Sequence, residues 1–366
     1  MEKKYLISKK IDSNTNFVFL KRPKKFLIFD DLYIDLFNNF YSLSKKNFTN
    51  YVLENFTNSN PEKIYSDLME LLQTEDIKND KTEEKFIIPQ KLNIFKFKLG
   101  DNFYSINYDD IKVVNTIIGQ LFHLKDETNI KPINYYVFKF NGRYLLNDDN
   151  QNIGSWNHNE IHYLTGKLLS LIMCDFHKVE ENKWSGFLHA SAISKDGNAI
   201  VIVGESGSGK STACAILSKN KYNLLADDIT PISRDGKVGN FPNSISIKEP
   251  YFQKINDLFL KVNISDTINI SKGKIKYLNP HGLKIFNPET INCSTVVRIK
   301  YNSEKQNSLK KVKFKDLLPL MVNESFFPTN MKSVNGFMNW FINCKCYTLN
   351  YNNDNSLINF LNKLES

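Results

Sequence analysis

The chain has 366 residues, 41% of them hydrophobic and 13% aromatic, which is enough for two or three domains with cores of their own. Its net charge is +9, yet only Arg22, Arg143, Arg234 and Arg298 among the 48 basic residues are arginines; in a chain rich in Asn and Ile this reads as compositional bias, and no nucleic-acid partner is expected. Nowhere do eighteen apolar residues run together and no segment has the layout of a signal peptide, so no membrane association is expected and the cytoplasm is the expected location.

Tyr5 to Ile11, Asn16 to Leu20 and Lys24 to Phe29 read as short strands, joined by Asp12-Ser13-Asn14-Thr15 and by the solvated basic turn Lys21-Arg22-Pro23-Lys24-Lys25. Three helical patterns follow: Leu32, Leu36, Phe37 and Phe40, then Tyr51, Val52 and Phe56, then Ile64, Leu68, Leu71 and Leu72. Asn60 as N-cap and Pro61 at the first helical position mark the start of the third helix. The charged stretch Gln73 to Lys85 reads as a linker. Short strands followed by three helices resemble, in pattern and length, the PqqD-like winged-helix module, which binds leader peptides of ribosomally made peptide natural products. That resemblance implies that a peptide adds a strand to the edge of the small sheet and packs on the third helix. The expected organisation is a small α+β winged-helix module over residues 1–78, a linker over 79–87 and an α/β domain over 88–366.

In the α/β part, Lys91 to Leu99, Phe103 to Asn107, Tyr135 to Phe140 and Tyr144 to Leu146 read as strands, and Asn159 to Phe176 as a helix. The apolar run Ala199-Ile-Val-Ile-Val203 then leads into Gly204-Glu205-Ser206-Gly207-Ser208-Gly209-Lys210-Ser211-Thr212, a phosphate-binding loop that opens a helix. Its glycines let successive N–H groups turn toward phosphate oxygens, and the helix N-terminus adds its dipole. Lys210 is expected to reach the β- and γ-phosphates, and Ser211 to hold Mg²⁺. ATP and Mg²⁺ are therefore the expected cofactors.

Phosphoryl transfer to a hydroxyl also needs a carboxylate on the metal and a base at the acceptor. Asp227 and Asp228 close the apolar run Leu224-Leu225-Ala226, seventeen and eighteen residues beyond Lys210. Asp227 is placed to hold Mg²⁺ through water, and Asp228 to face the acceptor as base. His189 precedes Gly204 by fifteen residues, and the run Phe241 to Lys248 follows the aspartates. Together these segments strongly resemble the HPr kinase/phosphorylase superfamily, in particular its shorter peptide-kinase offshoots. The specific motifs fall between Leu188 and Lys248. The resemblance implies an HPr kinase-like P-loop kinase domain, a His189 that hydrogen-bonds near the catalytic aspartate and tunes it, and a Lys248 near the transferred phosphate. The acidic signature that accompanies phosphorolysis in that family is not recognisable after Lys248, which makes HPr itself a poor substrate candidate.

Beyond the site, His281 falls in a turn, Ser294 to Ile299 and Cys346 to Leu349 read as strands, and Phe314 to Val322 and Asn355 to Leu364 as helices. Arg234 and Arg298 are the nearby arginines. The cysteines Cys174, Cys214, Cys293, Cys344 and Cys346 have no zinc-type spacing, and Cys344-Lys-Cys346 is expected to point both thiols to one face of a strand. The sequence thus leads to an ATP- and Mg²⁺-dependent kinase acting on a hydroxyl. The favoured acceptor is a serine or threonine of a precursor peptide bound through the N-terminal module. Free serine or another small hydroxyl compound, and a regulator that uses nucleotide without transfer, are the alternatives. A homo-oligomer is compatible with the family. A transport ATPase is disfavoured because no Leu-Ser-Gly-Gly motif occurs.

Overall fold

The computed structural model describes residues 5–72, 87–259, 263–270, 273–281 and 287–365. The stretch 73–85, read above as a linker, thus lies outside the described residues.

The N-terminal strands β1 (Leu6–Lys10), β2 (Thr15–Leu20) and β3 (Lys25–Asp30) form an antiparallel meander, followed by α1 (Asp31–Ser42), α2 (Lys45–Asn55) and α3 (Pro61–Leu72). Side-chain caps start all three helices: Asp30 accepts from the Tyr33 N–H, Ser44 from Asn47 and Asn60 from Lys63. Leu6, Val18 and Leu20 face the helices, meeting Leu36, Phe37, Phe48, Val52 and Leu68. The opposite face is covered too.

Next come β4 (Asn93–Leu99), β5 (Asn102–Tyr108), α4 (Ile111–Leu121), β6 (Ile133–Phe140), β7 (Arg143–Asp148), β8 (Asn152–Trp156) and α5 (Ile161–His177). Strands β4 to β8 lie in chain order in one sheet, antiparallel except for the β5–β6 pair, which α4 bridges. Apolar residues of α4 and α5 form one core with Tyr104, Ile106, Val137 and Leu146.

The remaining elements are β9 (Trp184–Leu188), β10 (Ser191–Lys195), β11 (Asn198–Val203), α6 (Lys210–Lys219), β12 (Asn223–Ala226), β13 (Thr230–Ser233), β14 (Lys237–Gly239), β15 (Ile245–Lys248), α7 (Phe252–Leu258), β16 (Ile268–Ile270), β17 (Gly273–Leu278), β18 (Thr290–Tyr301), β19 (Ser308–Val312), α8 (Phe314–Val322), α9 (Met331–Asn343), β20 (Lys345–Tyr351) and α10 (Asp354–Glu365). The large sheet runs β12-β10-β11-β18-β14-β13-β9, with β20 joining the far half of β18 and β19 flanking β20. Strands β11, β18 and β20 are parallel to one another. Their faces are both buried: Ile200, Ile202, Val297 and Ile299 meet α6 and α10, while Val201, Val203 and Val296 meet α8 and α9. Two-sided burial explains why the run before the phosphate loop is uninterrupted rather than alternating. A small sheet ordered β15-β17-β16 packs beside α6.

Phe17, Phe19, Phe26 and Ile7 of the N-terminal sheet pack on α8 and α9. The Phe17 ring lies 5.6 Å from Phe314, 6.3 Å from Phe337 and 6.5 Å from Phe341. The cysteine expectation is corrected. Cys344 caps the C-terminus of α9, so of that pair Cys346 alone lies in a strand, its thiol facing the Cys344 carbonyl at 3.7 Å; all five cysteines are free.

Candidate nucleotide and phosphoryl-transfer site

Residues 204–209 link β11 to α6. The loop is fixed from below: the Ser208 carbonyl accepts from the Tyr301 N–H at 3.1 Å, and the Ser208 N–H donates to the Glu205 carbonyl at 3.0 Å. Gly209, at φ 96, is the left-handed N-cap of α6, a conformation that side chains disfavour. At Gly204 a Cβ would lie 2.4 Å from Ser208 Oγ and 2.9 Å from the Ile299 carbonyl, so only glycine fits.

Lys210 is 7% exposed, and its ammonium donates to the Gly204 carbonyl at 2.8 Å, with no ion pair among the described residues. A buried cation without a carboxylate partner, beside a helix N-terminus and the buried, unpartnered Ser208 hydroxyl, suits an anion of the size and charge of a phosphate chain. Arg298, from β18, stands at the loop's rim and pairs with the exposed Glu205, leaving its own Nε buried and unpartnered. Arg234, the other arginine considered, is tied to Asn330 and Ser333 at the start of α9 and takes no part in the loop.

Asp227, wholly buried at the end of β12, gathers the metal side of the site. Its Oδ1 accepts from the Ser191 hydroxyl at 2.5 Å and from the Ser211 hydroxyl at 3.2 Å, and its Oδ2 from the Ser246 N–H at 3.2 Å. Asn243 clamps its main chain, accepting from the Asp227 N–H at 3.0 Å and donating to the Asp227 carbonyl at 2.6 Å. Asn243 is itself held by Gln120 of α4, 3.1 Å away. A carboxylate and a hydroxyl facing each other at the mouth of the phosphate loop fit a hard, oxygen-seeking cation such as Mg²⁺.

Asp228 follows in left-handed backbone, φ 63, with its Oδ2 3.4 Å from the hydroxyl of Ser246, the residue whose N–H reaches Asp227. Burial raises the pKa of both aspartates. For Asp227 the neighbouring Asp228 charge adds to the rise, whereas Lys210 pulls Asp228 back. The His189 ring reaches the Asp228 main chain, and burial followed by the Lys210 charge lowers its pKa, keeping the imidazole neutral near pH 7. Lys248 is exposed on β15, close enough for its charge to act on Asp228 but without a hydrogen bond to it. Glu205, Ser206 and Gly207 are exposed at the loop's tip, and Thr212 is half-buried on α6. His281 lies in its expected turn, its N–H donating to Asn279 Oδ1 at 3.0 Å.

Sequence reasoning missed Ser191, Ser246, Asn243, Gln120 and Glu324. Glu324 places Oε2 3.6 Å from His189 Nε2. Ser191 and Ser246 reach the site from β10 and β15, Asn243 from the segment before β15, Gln120 from α4 and Glu324 from the turn after α8, so no one spacing marks them as a set.

No family model matches the chain, and neither does any curated protein. Among solved structures 35 chains match. One is the Hpr(Ser) kinase/phosphatase from Coxiella burnetii, 12% identical over 49% of this chain and 99% of that one, at a TM-score of 0.25. Among the described residues no helix is long and apolar enough to cross a membrane.

Proposed function

We propose that this protein is an HPr kinase-like P-loop kinase that transfers the γ-phosphate of ATP, with Mg²⁺, to a hydroxyl, and that its acceptor is a serine or threonine of a precursor peptide held by a PqqD-like N-terminal unit. The observation that carries the reading is the row Lys210, Ser211, Asp227, Asp228: a phosphate-loop cation, a hydroxyl and a carboxylate suited to a metal, and a second carboxylate beside them.

Lys210, the loop N–H groups and the α6 N-terminus would hold the phosphates, and Arg298 is the arginine near enough to share their charge. Ser211 and Asp227 would hold Mg²⁺, which supplies charge neutralisation on the phosphate oxygens. Asp228 takes the acceptor proton. Its raised pKa brings it closer to the hydroxyl it serves than an ordinary exposed carboxylate, and its position beside neutral His189 keeps that edge of the site free of a competing cation. The strand order of the N-terminal unit, with β3 at the sheet edge and unpaired on its outer side among the described residues, supports peptide capture by strand addition.

The test is transfer of labelled γ-phosphate from ATP to short peptides encoded beside the gene, each with and without its leader, with Lys210→Ala as control. Label on a core serine or threonine only when the leader is present, and none with the variant, is the expected result. Labelled free serine or another small hydroxyl compound would remove the peptide acceptor. Release of phosphate alone would replace the kinase with a nucleotide-dependent regulator.

A further inference from the structure

Residues 323–327 touch, one after another, the elements that lie between Asp228 and the N-terminal sheet. Glu324, at φ 55, faces His189 Nε2. Ser325 Oγ accepts from the His189 N–H at 2.9 Å and donates to the Met321 carbonyl at 2.9 Å, so α8 orients it from behind. Phe326 exchanges two main-chain bonds with Phe187, at 2.8 and 2.9 Å, which adds an antiparallel rung to the outer side of edge strand β9. The Phe327 ring lies against Gly186, where a Cβ would come within 2.7 Å of it. That ring packs on Phe26 of β3 and Phe337 of α9, with centroids 4.9 and 4.7 Å away.

His189 is therefore held at its N–H by one short segment, which also sets Glu324 near its ring, and the same segment rests on the N-terminal sheet two residues later. We propose that Ser325 is a positioning residue for His189, and that the Phe26–Phe327 contact holds segment 323–327 in its working register, so that the N-terminal unit sets the rate of transfer as well as delivering the acceptor. The proposal rests on the kinase reading above. A misplacement of about 1 Å at a reacting centre can cost on the order of 10²-fold in rate, which is why a clamp this close to Asp228 has kinetic consequences.

The experiment compares full-length wild type with Ser325→Ala, Ser325→Thr, Phe327→Ala and Phe327→Leu. It measures kcat and KM for ATP and for saturating leader-bearing peptide, acceptor-independent ATP hydrolysis, and thermal melting. Expected are a fall of about tenfold in kcat and in hydrolysis for both alanine variants, KM for ATP within about twofold of wild type, and recovery by threonine and leucine. A folded Ser325→Ala protein with wild-type kcat, or a change confined to the KM for peptide, overturns the proposal. If Phe327→Ala fails to fold, Phe26→Leu replaces it: a folded Phe26→Leu protein with wild-type kcat overturns the role of the Phe26–Phe327 contact, and the Ser325 pair decides the role of Ser325. Absence of transfer and hydrolysis by wild type sinks the kinase reading, and this proposal with it; an active wild type beside unaffected variants sinks this proposal alone.

Discussion

Asp227 and Asp228 are adjacent in sequence and differ in what surrounds them. Asp227 already receives two hydroxyls and a backbone N–H, whereas among the described residues Asp228 receives the long contact from Ser246. Substituting Asp228→Asn should therefore leave nucleotide binding intact, measured with a fluorescent ATP analogue, while lowering transfer by about 10²–10⁴-fold. Full transfer by this variant would move the base elsewhere. The phosphate loop and the two aspartates were legible in the sequence because each is a contiguous motif behind an apolar strand. The serines and amides that complete the site were not. Ser191 meets Asp227 because β10 pairs with β12, and Gln120 meets Asn243 because α4 lies against the small sheet's strands; neither fact has a sequence period.

At the level of elements, most strands and the terminal helices followed from periodicity, and α8 begins and ends where its pattern does. Three helices escaped, α4, α7 and α9. Helix α9 carries Val334, Phe337, Met338 and Phe341 at helical spacing, a stripe that the sequence reading passed over, and Gly336 and Trp340 are buried beside it because the helix meets β9 on one face and the N-terminal sheet on another. Its Gly336 permits close approach: a Cβ there would sit 2.3 Å from Ser185 Oγ and 3.0 Å from the Arg234 main chain. Glycine to alanine normally helps a helix, by up to about 1 kcal/mol. Here the clash should win, since overpacking against backbone costs about 1–3 kcal/mol and β9 cannot retreat from α9 without moving Phe187 and the rung it shares with Phe326. Gly336→Ala should lower the urea midpoint; a higher midpoint would mean that α9 slides freely on β9.

At the scale of the whole molecule, the N-terminal strands pack on α8 and α9, and β2 carries the sequence signal for that contact. Phe17-Val18-Phe19-Leu20 is apolar without alternation, and all four side chains are fully buried because the strand is covered on both faces. Removing residues 1–72 would uncover Phe337 and Phe341, which are 0% exposed in the intact chain, together with Phe314 and Phe327. Each fully buried phenylalanine contributes about 1.5–3 kcal/mol relative to exposure, so the remainder loses an appreciable part of what stabilises α8 and α9. The truncated chain should bind a hydrophobic dye, melt at lower temperature than the full chain and associate with itself. Phe17→Ala in the full chain should reproduce the destabilisation in part, costing about 3–5 kcal/mol by denaturant unfolding. A truncated chain that stays monomeric and melts where the full chain does would show that the sheet rests on α9 without contributing to its stability, and that the two parts can separate during a catalytic cycle.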